Sequence, residues 1–185
     1  MKVKKTKVVI PCRISYAHIW EGEPDDKGKI KYSAAILIPK DDAKTIAKIE
    51  AAIKAAIEEG KSKLANAKGI VPKNIKLPLR DADDEGVDDP AYEGMMFFNA
   101  SSTRRPQIVD RHVQNILDPE EVYSGCYCNV SINFFAFNTE GNKGIAAGLN
   151  NIQKVRDGER LAGGSTAEED FDVLADDDND DDIFD

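Results

Sequence analysis

Cysteine is scarce in this chain, with Cys12, Cys126 and Cys128 the only three among 185 residues. An odd count without paired spacing excludes a disulfide-stapled scaffold and implies reduced thiols. Long apolar runs are also missing. Val8-Val9-Ile10 stops at Pro11, too short for the core of a signal peptide. Nothing approaches the roughly 20 apolar residues that cross a bilayer. The expectation is a protein made and kept in a cytosol. Histidine is limited to His18 and His112, and no Gly-rich phosphate loop and no Ser/His/Asp or Cys/His spacing stands out. Cys126-x-Cys128 places both thiols on one side of an apolar strand, facing a core, so no zinc site and no cofactor are expected.

Basic residues are absent from one part of the chain. The totals are 25 Lys and Arg against 34 Asp and Glu. No Lys or Arg follows Leu161, and eleven of the carboxylates fall in residues 162–185. Residues 1–161 therefore hold 25 cations against 23 anions, close to +2, while the last 24 residues carry −11. A near-neutral body with a separate polyanion suggests a nucleic-acid binder with an interaction tail. The expected division is a folded domain over 1–161 and a disordered acidic tail over 162–185. The tail interleaves Phe171, Val173 and Leu174 with acids. It ends Asp176-Asp177-Asp178-Asn179-Asp180-Asp181-Asp182-Ile183-Phe184-Asp185. A purely solvating tail has no need of apolar anchors. Tethered through Gly163-Gly164, it can reach a cationic groove at an effective concentration near millimolar and compete there with phosphates.

What is present in the body reads as mainly β. Alternation over residues 8–20 and again over 29–38 predicts a long hairpin joined by the turn-rich segment Glu21–Gly28. Pro39 ends the second strand, and Asp41 or Asp42 can cap a helix running to about Ala67 with a break near Gly60. Its stripe is Ile46, Ile49, Ile53 and Ile57. Residues 68–93 look irregular and acidic. Met95–Ala100 reads as a buried strand, Thr103–Arg111 as a basic connection, and Asp118-Pro-Glu-Glu as one helical turn. The strongest strand signal is Gly125–Phe137, where Cys126, Cys128, Val130, Ile132, Phe134 and Ala136 alternate with Tyr127, Asn129, Ser131, Asn133, Phe135 and Phe137. Ile145–Val155 then reads as a strand interrupted at Gly148. About five strands and one inserted helix suit an OB-fold-like five-stranded Greek-key barrel.

A sequence-tolerant single-strand site combines cations that track phosphates with aromatic faces on which bases stack. The candidates are Arg13, Tyr16 and Trp20 on the first strand and Lys29, Lys31 and Tyr32 on the second. Arg104, Arg105 and Arg111 lie around Pro106. Tyr127, Phe135 and Phe137 lie on the long strand, and Lys143, Lys154 and Arg156 at the ends of the last. Trp20 can equally be core. Tyr127, Phe135 and Phe137 are better placed, because Asn129, Ser131 and Asn133 share their face. Two alternatives remain. Asp81-x-Asp83-x-Glu85-Gly86 starts like a calcium loop, but Tyr92 stands at the twelfth position where Glu is required. The same acidic loop, Asp81–Asp89, could hold Mg²⁺ for a nuclease. The acidic tail could instead mimic DNA in a protein-interaction module.

The segments Val122–Phe137 and Lys143–Leu161, with Leu77-Pro-Leu-Arg-Asp81 and Arg105-Pro-Gln-Ile-Val-Asp110, resemble the single-stranded DNA-binding proteins of tailed bacteriophages and prophages. The resemblance implies an OB fold and non-catalytic binding without strong sequence preference. It also implies a role in replication, recombination or repair in the host bacterial cytoplasm, and an acidic tail that recruits partner proteins. It admits a homodimer. Family tails typically end in an aromatic residue, whereas here Asp185 follows Phe184.

Overall fold

The computed structural model describes residues 5–161 and 171–175. Seven strands form one sheet in the order β3-β4-β2-β1-β6-β7-β5. They are β1 (Lys7–Pro24), β2 (Ile30–Pro39), β3 (Arg80–Asp81), β4 (Met95–Ser102), β5 (Gln107–Val109), β6 (Tyr127–Thr139) and β7 (Asn142–Arg156). A parallel pairing of β4 with β7, Ala100 opposite Ala147 and Ser101 opposite Gly148, closes β1, β2, β4, β6 and β7 into a five-stranded barrel. This is the expected OB-like arrangement, with β3 and β5 as short additions at its ends.

The barrel is filled by the inward rows of its strands. Ile10, Cys12 and Ile14 of β1 face Ala34, Ile36 and Ile38 of β2, and Cys128, Val130, Ile132 and Phe134 of β6 complete the row. Phe98 and Phe134 are fully buried with ring centroids 5.5 Å apart. Each such side chain contributes roughly 1.5–3 kcal/mol on burial. The three cysteines belong to this core. Burial, with a smaller push from neighbouring Cys126, raises the Cys128 thiol to about 12.

Simple alternation fails along β1. Tyr16 adopts φ 46°, and the register with β2 slips between Ser15 and His18. This bulge reverses the phase, so Ile19 and not His18 is buried, and Tyr16 turns outward at 56% exposure. β2 is covered on both sides. Its outer residues Ala35 and Leu37 pack under Ala82, Tyr92 and Phe97 in a second, smaller core. The acidic segment after β3 is thus an ordered cover over β2 and β4.

α1 (Ala43–Glu59) begins where Asp42 accepts from the Thr45 N–H at 3.2 Å and the Thr45 hydroxyl at 2.7 Å. Ile49, Ala52, Ile53 and Ala56 are buried against the barrel. The helix ends earlier than its periodicity suggests. Gly60 lies so close to β6 that a Cβ there would stand 2.2 Å from the Ala136 Cβ, and only one further turn follows, α2 (Lys61–Leu64). Asp118 caps the short turn Pro119–Glu121 as expected. β7 runs without the anticipated break at Gly148; its irregularities lie at Asn150, where Ser131 pairs Asn151 but Ile132 pairs Leu149, and at Val155, where Tyr127 pairs Arg156 but Cys128 pairs Lys154. The basic connection contains β5, which pairs in parallel with β7. Among the described residues no helix is long and apolar enough to cross a membrane.

Candidate nucleic-acid interface

The outward face of β6 fixes the geometry. Burial alternates along the strand, leaving Tyr127, Asn129, Ser131, Asn133, Phe135 and Phe137 on the side away from the core. On one flank β1 sets Arg13, Pro11, Val9 and Lys7 opposite Tyr127, Asn129, Ser131 and Asn133. On the other, β7 sets Arg156, Gln153, Asn151 and Gly148 opposite the same four. The outcome is a strip about 20 Å long, from the strand rise, on which Asn129, Ser131, Asn133, Asn151 and Gln153 lie beside Val9 and Pro11, with cations at both ends.

At one end a cavity of about 580 Å³ is lined by Lys7, Ser102, Arg104, Arg105, Gln107, Asn133, Leu149, Asn150 and Asn151. Among the described residues three cations face it and no carboxylate does. The Arg105 guanidinium lies 5.5 Å from the Trp20 ring centroid. Trp20 is half-buried and donates from Nε1 to the Val122 carbonyl at 2.9 Å, so one part of the indole is core and one part supports a cation. Tyr32 stands opposite Ser102 in the β2–β4 ladder, beside this end.

At the other end two guanidiniums flank one ring. Arg156 lies 3.7 Å and Arg13 5.4 Å from the Tyr127 centroid. Arg13 also donates to the Gly125 carbonyl at 3.0 Å and the Glu159 carbonyl at 2.8 Å. Beside them, Lys154 pairs with Asp157 at 2.7 Å. Burial opposes the Lys154 charge, but this pair outweighs it and holds the ammonium above its ordinary pKa. Desolvation, aided by Asp157, pushes the Tyr123 phenol up to about 12. Arg111 reaches over to donate to the Val155 carbonyl at 3.0 Å. Between the ends, Asn129 donates to Gln153 at 3.1 Å. Guanidiniums, ammoniums and amides of this kind donate to phosphate oxygens, and exposed rings stack on bases.

Thus Arg13, Trp20, Tyr32, Arg104, Arg105, Arg111, Tyr127, Lys154 and Arg156 gather on or around the strip. Phe135 shares its face at 46% exposure, two residues beyond Asn133. Five candidates sit elsewhere. Tyr16 leans on Tyr92, ring centroids 6.4 Å apart. Lys31, near the start of β2, pairs with Asp25 at 3.7 Å, and the Lys29 N–H in the β1–β2 turn donates to the same carboxylate. Lys143 donates to the Ala65 carbonyl at 3.0 Å. Phe137 lies over Gly144, toward the turn end of the β6–β7 hairpin. Sequence reading missed Lys7, Gln107, Asn150 and Asn151. The alternation Lys7, Val9, Pro11, Arg13 against Val8, Ile10, Cys12 carried the signal for Lys7. The parallel β5–β7 pairing that brings in Gln107 has no local signature.

The acidic loop is closed by a cation of its own. The Lys40 ammonium lies 2.6 Å from both Asp81 and Asp83, and its hydrogen bonds hold both carboxyls below their usual range. Arg80 grips Glu85 at 2.8 Å. These carboxylates are tied in ion pairs that fasten the cover. Among the described residues no three His, Cys, Asp or Glu side chains gather as a metal site. In the tail, Phe171, Val173 and Leu174 are exposed. Asp176–Asp185 and residues 162–170 lie outside the described residues.

Solved structures share this architecture. The single-stranded DNA-binding protein from bacteriophage Enc34, as a C-terminal truncation, superposes with TM-score 0.69 at 26% identity, covering 86% of this chain and 94% of that one. The Enc34 protein in complex with single-stranded DNA gives 0.67 at 27% identity, covering 88% and 96%. The bacteriophage T7 single-stranded DNA-binding protein gp2.5 gives 0.58 at 16% identity over 90% of this chain and all of that one, a likeness of fold alone. In sequence, protein p50 of Acyrthosiphon pisum secondary endosymbiont phage 1 is 33% identical over 181 residues, 95% of each chain. The family described as Enterobacter phage Enc34, ssDNA-binding protein, matches residues 1–184. By that match, over a barrel whose outer face carries cations at both ends, the chain belongs to the Enc34 family of phage single-stranded DNA-binding proteins.

Proposed function

We propose that this chain binds single-stranded DNA without catalysis and without strong sequence preference, along the outward strip of β1, β6 and β7. One observation carries the reading: among the described residues, three cations and a run of amides line the Arg104–Arg105 end with no carboxylate beside them. Phosphates are met there by Lys7, Arg104 and Arg105, and at the other end by Arg13, Arg111 and Arg156. Tyr127, Phe135 and Trp20 offer ring faces. Amides and hydroxyls along the floor donate and accept alike, which suits any base. The ssDNA complex of an Enc34 relative at 27% identity supports the ligand class.

The acidic tail, residues 162–185, competes for the same strip and recruits replication, recombination or repair proteins in the host cytoplasm. Eleven carboxylates against a body close to +2 supply the attraction. The test is anisotropy with labelled oligo-dT, full chain against residues 1–161. The shortened protein is expected to bind more tightly, with the gain largest at low salt. Equal or weaker affinity overturns the competition, and no binding by either protein overturns the DNA reading. Incubating the strand with Mg²⁺ or Mn²⁺ is expected to leave it intact.

A further inference from the structure

Residues 110–116, after β5, form a closed loop. The Asp110 N–H donates to the Gln114 carbonyl at 2.9 Å, and the Val113 N–H to the Asp110 carbonyl at 3.1 Å. One Asp110 carboxylate oxygen accepts from the N–H groups of His112 at 2.8 Å and Gln114 at 3.0 Å. The carboxylate is consumed inside the loop. The loop is fastened to the strip by Arg111 on the Val155 carbonyl and by the Gln153 amide, 3.4 Å from the carbonyls of Asp110 and Arg111.

At its tip stands Val113 with φ 61°, its side chain 68% exposed. A β-branched residue is disfavoured in the left-handed region, where Gly or Asn fits with less strain. The side chain gains little packing within the fold to offset that strain. Such outliers cluster where a ligand is gripped. The surroundings name the ligand. Arg111 and His112 adjoin the tip, and Arg111, Asn129, Gln153 and Lys154 line one small cavity at its foot. These groups suit a phosphodiester backbone. A stiff apolar tip beside a phosphate-tracking floor matches the wedges that part neighbouring bases.

We propose that Val113 is such a wedge. It enters between two bases of a single strand lying on the strip, while Arg111 and His112 hold the flanking phosphates. The inference rests on the single-strand reading above and adds where the stack is broken.

The test uses the full chain and oligonucleotides carrying one 2-aminopurine at successive positions, whose emission rises when the base is unstacked. The wild type is expected to brighten one position strongly. Val113→Gly and Val113→Asn, both suited to positive φ, are expected to keep or raise the thermal midpoint. Both should weaken oligonucleotide binding about tenfold, the factor that burying one valine supports, and abolish the bright position. Wild-type affinity and emission in both variants overturn the wedge while leaving the single-strand reading intact. A wild type that binds no strand removes both. A changed sedimentation coefficient in the variants, with affinity per protomer unchanged, assigns the tip to a contact between copies and also overturns it.

Discussion

Gly125 is the residue on which the end of the strip turns. Its φ is +115°, and a Cβ there would stand 1.9 Å from the Glu159 carbonyl oxygen. Gly158 faces it in return, a Cβ at that position lying 2.0 Å from the Gly125 carbonyl oxygen. This close approach lets residues 157–161 fold back after β7. The Leu161 N–H then donates to Ser124 at 3.0 Å, and Arg13 reaches Glu159. Gly125→Ala adds both strain and a backbone collision, so it is expected to cost about 2–4 kcal/mol in urea unfolding. It should also loosen the Arg13–Tyr127–Arg156 group, read as faster exchange of the Leu161 amide. Unchanged stability would contradict the close packing. Lys40 makes a second prediction, in pH. Asp81 and Asp83 titrate below their unfolded values because Lys40 donates to them. Their contribution is therefore complete above about pH 4, the unfolded carboxyl value, and is lost as pH falls through the lower folded values. Lys40 is shifted upward, chiefly by Asp81, so its contribution is complete below about pH 10 and is lost at still higher pH. The wild-type thermal midpoint should fall on acidification below about pH 4, and Lys40→Met should flatten part of that fall. Parallel midpoint curves would show that these exposed pairs are fully screened.

Among the elements, legibility in sequence followed how local the determining contacts are. β6 was plain because each of its inward residues is apolar and the middle of its outward row, Asn129, Ser131 and Asn133, is polar, a period of two that needs no partner to read. The cap at Asp42 and the turn at Asp118 were equally local. β1 read correctly only to Ile14. The positive φ at Tyr16 shifts the phase, and nothing beside that residue, Gly or Asn for instance, announces it. A break in the helix was expected near Gly60, with the end only at about Ala67; the reason for the stop at Glu59 is a distant one, the approach of Gly60 to Ala136 of β6. The cover over β2 was read as a loose acidic loop because its anchors, Ala82, Tyr92 and Phe97, are spread across fifteen positions of irregular chain. The interface divided in the same way. Tyr127 and Phe135, which share a strand face with Asn129, Ser131 and Asn133, lie on the strip. Lys31 and Lys143 were chosen for their charge, and their ammoniums meet Asp25 and the Ala65 carbonyl, while Lys29 meets Asp25 through its backbone N–H. Lys7, Gln107 and Asn151 join through strand pairing between segments far apart in the chain, which periodicity within one segment cannot reveal.

For the molecule as a whole, the decisive quantity is how charge is divided. A net −9 would keep a polyanion away, yet residues 1–161 sum to close to +2 and three of their cations line one cavity on the outer face of the barrel. Attraction to a strand is then local and strongly screened, so affinity must fall linearly with the logarithm of salt concentration. The slope counts phosphate contacts, at about 0.7 per phosphate for single strands. Arg104 and Arg105 both line the carboxylate-free cavity, and neither is engaged in an ion pair among the described residues. Replacing both with Gln should lower the magnitude of the slope by about 1.4 and weaken oligo-dT binding most at low salt. Because these side chains are exposed, the unfolding midpoint should hold. Replacing Lys29 and Lys31 with Gln serves as the contrast. Those cations lie in the β1–β2 turn and at the start of β2, beside Asp25, and their loss should leave the slope nearly unchanged. If the two pairs lower the slope equally, the strand is held by the general field of the protein and not by the strip. If only the Lys29–Lys31 pair lowers it, the strand runs over β2 and not over β6 and β7.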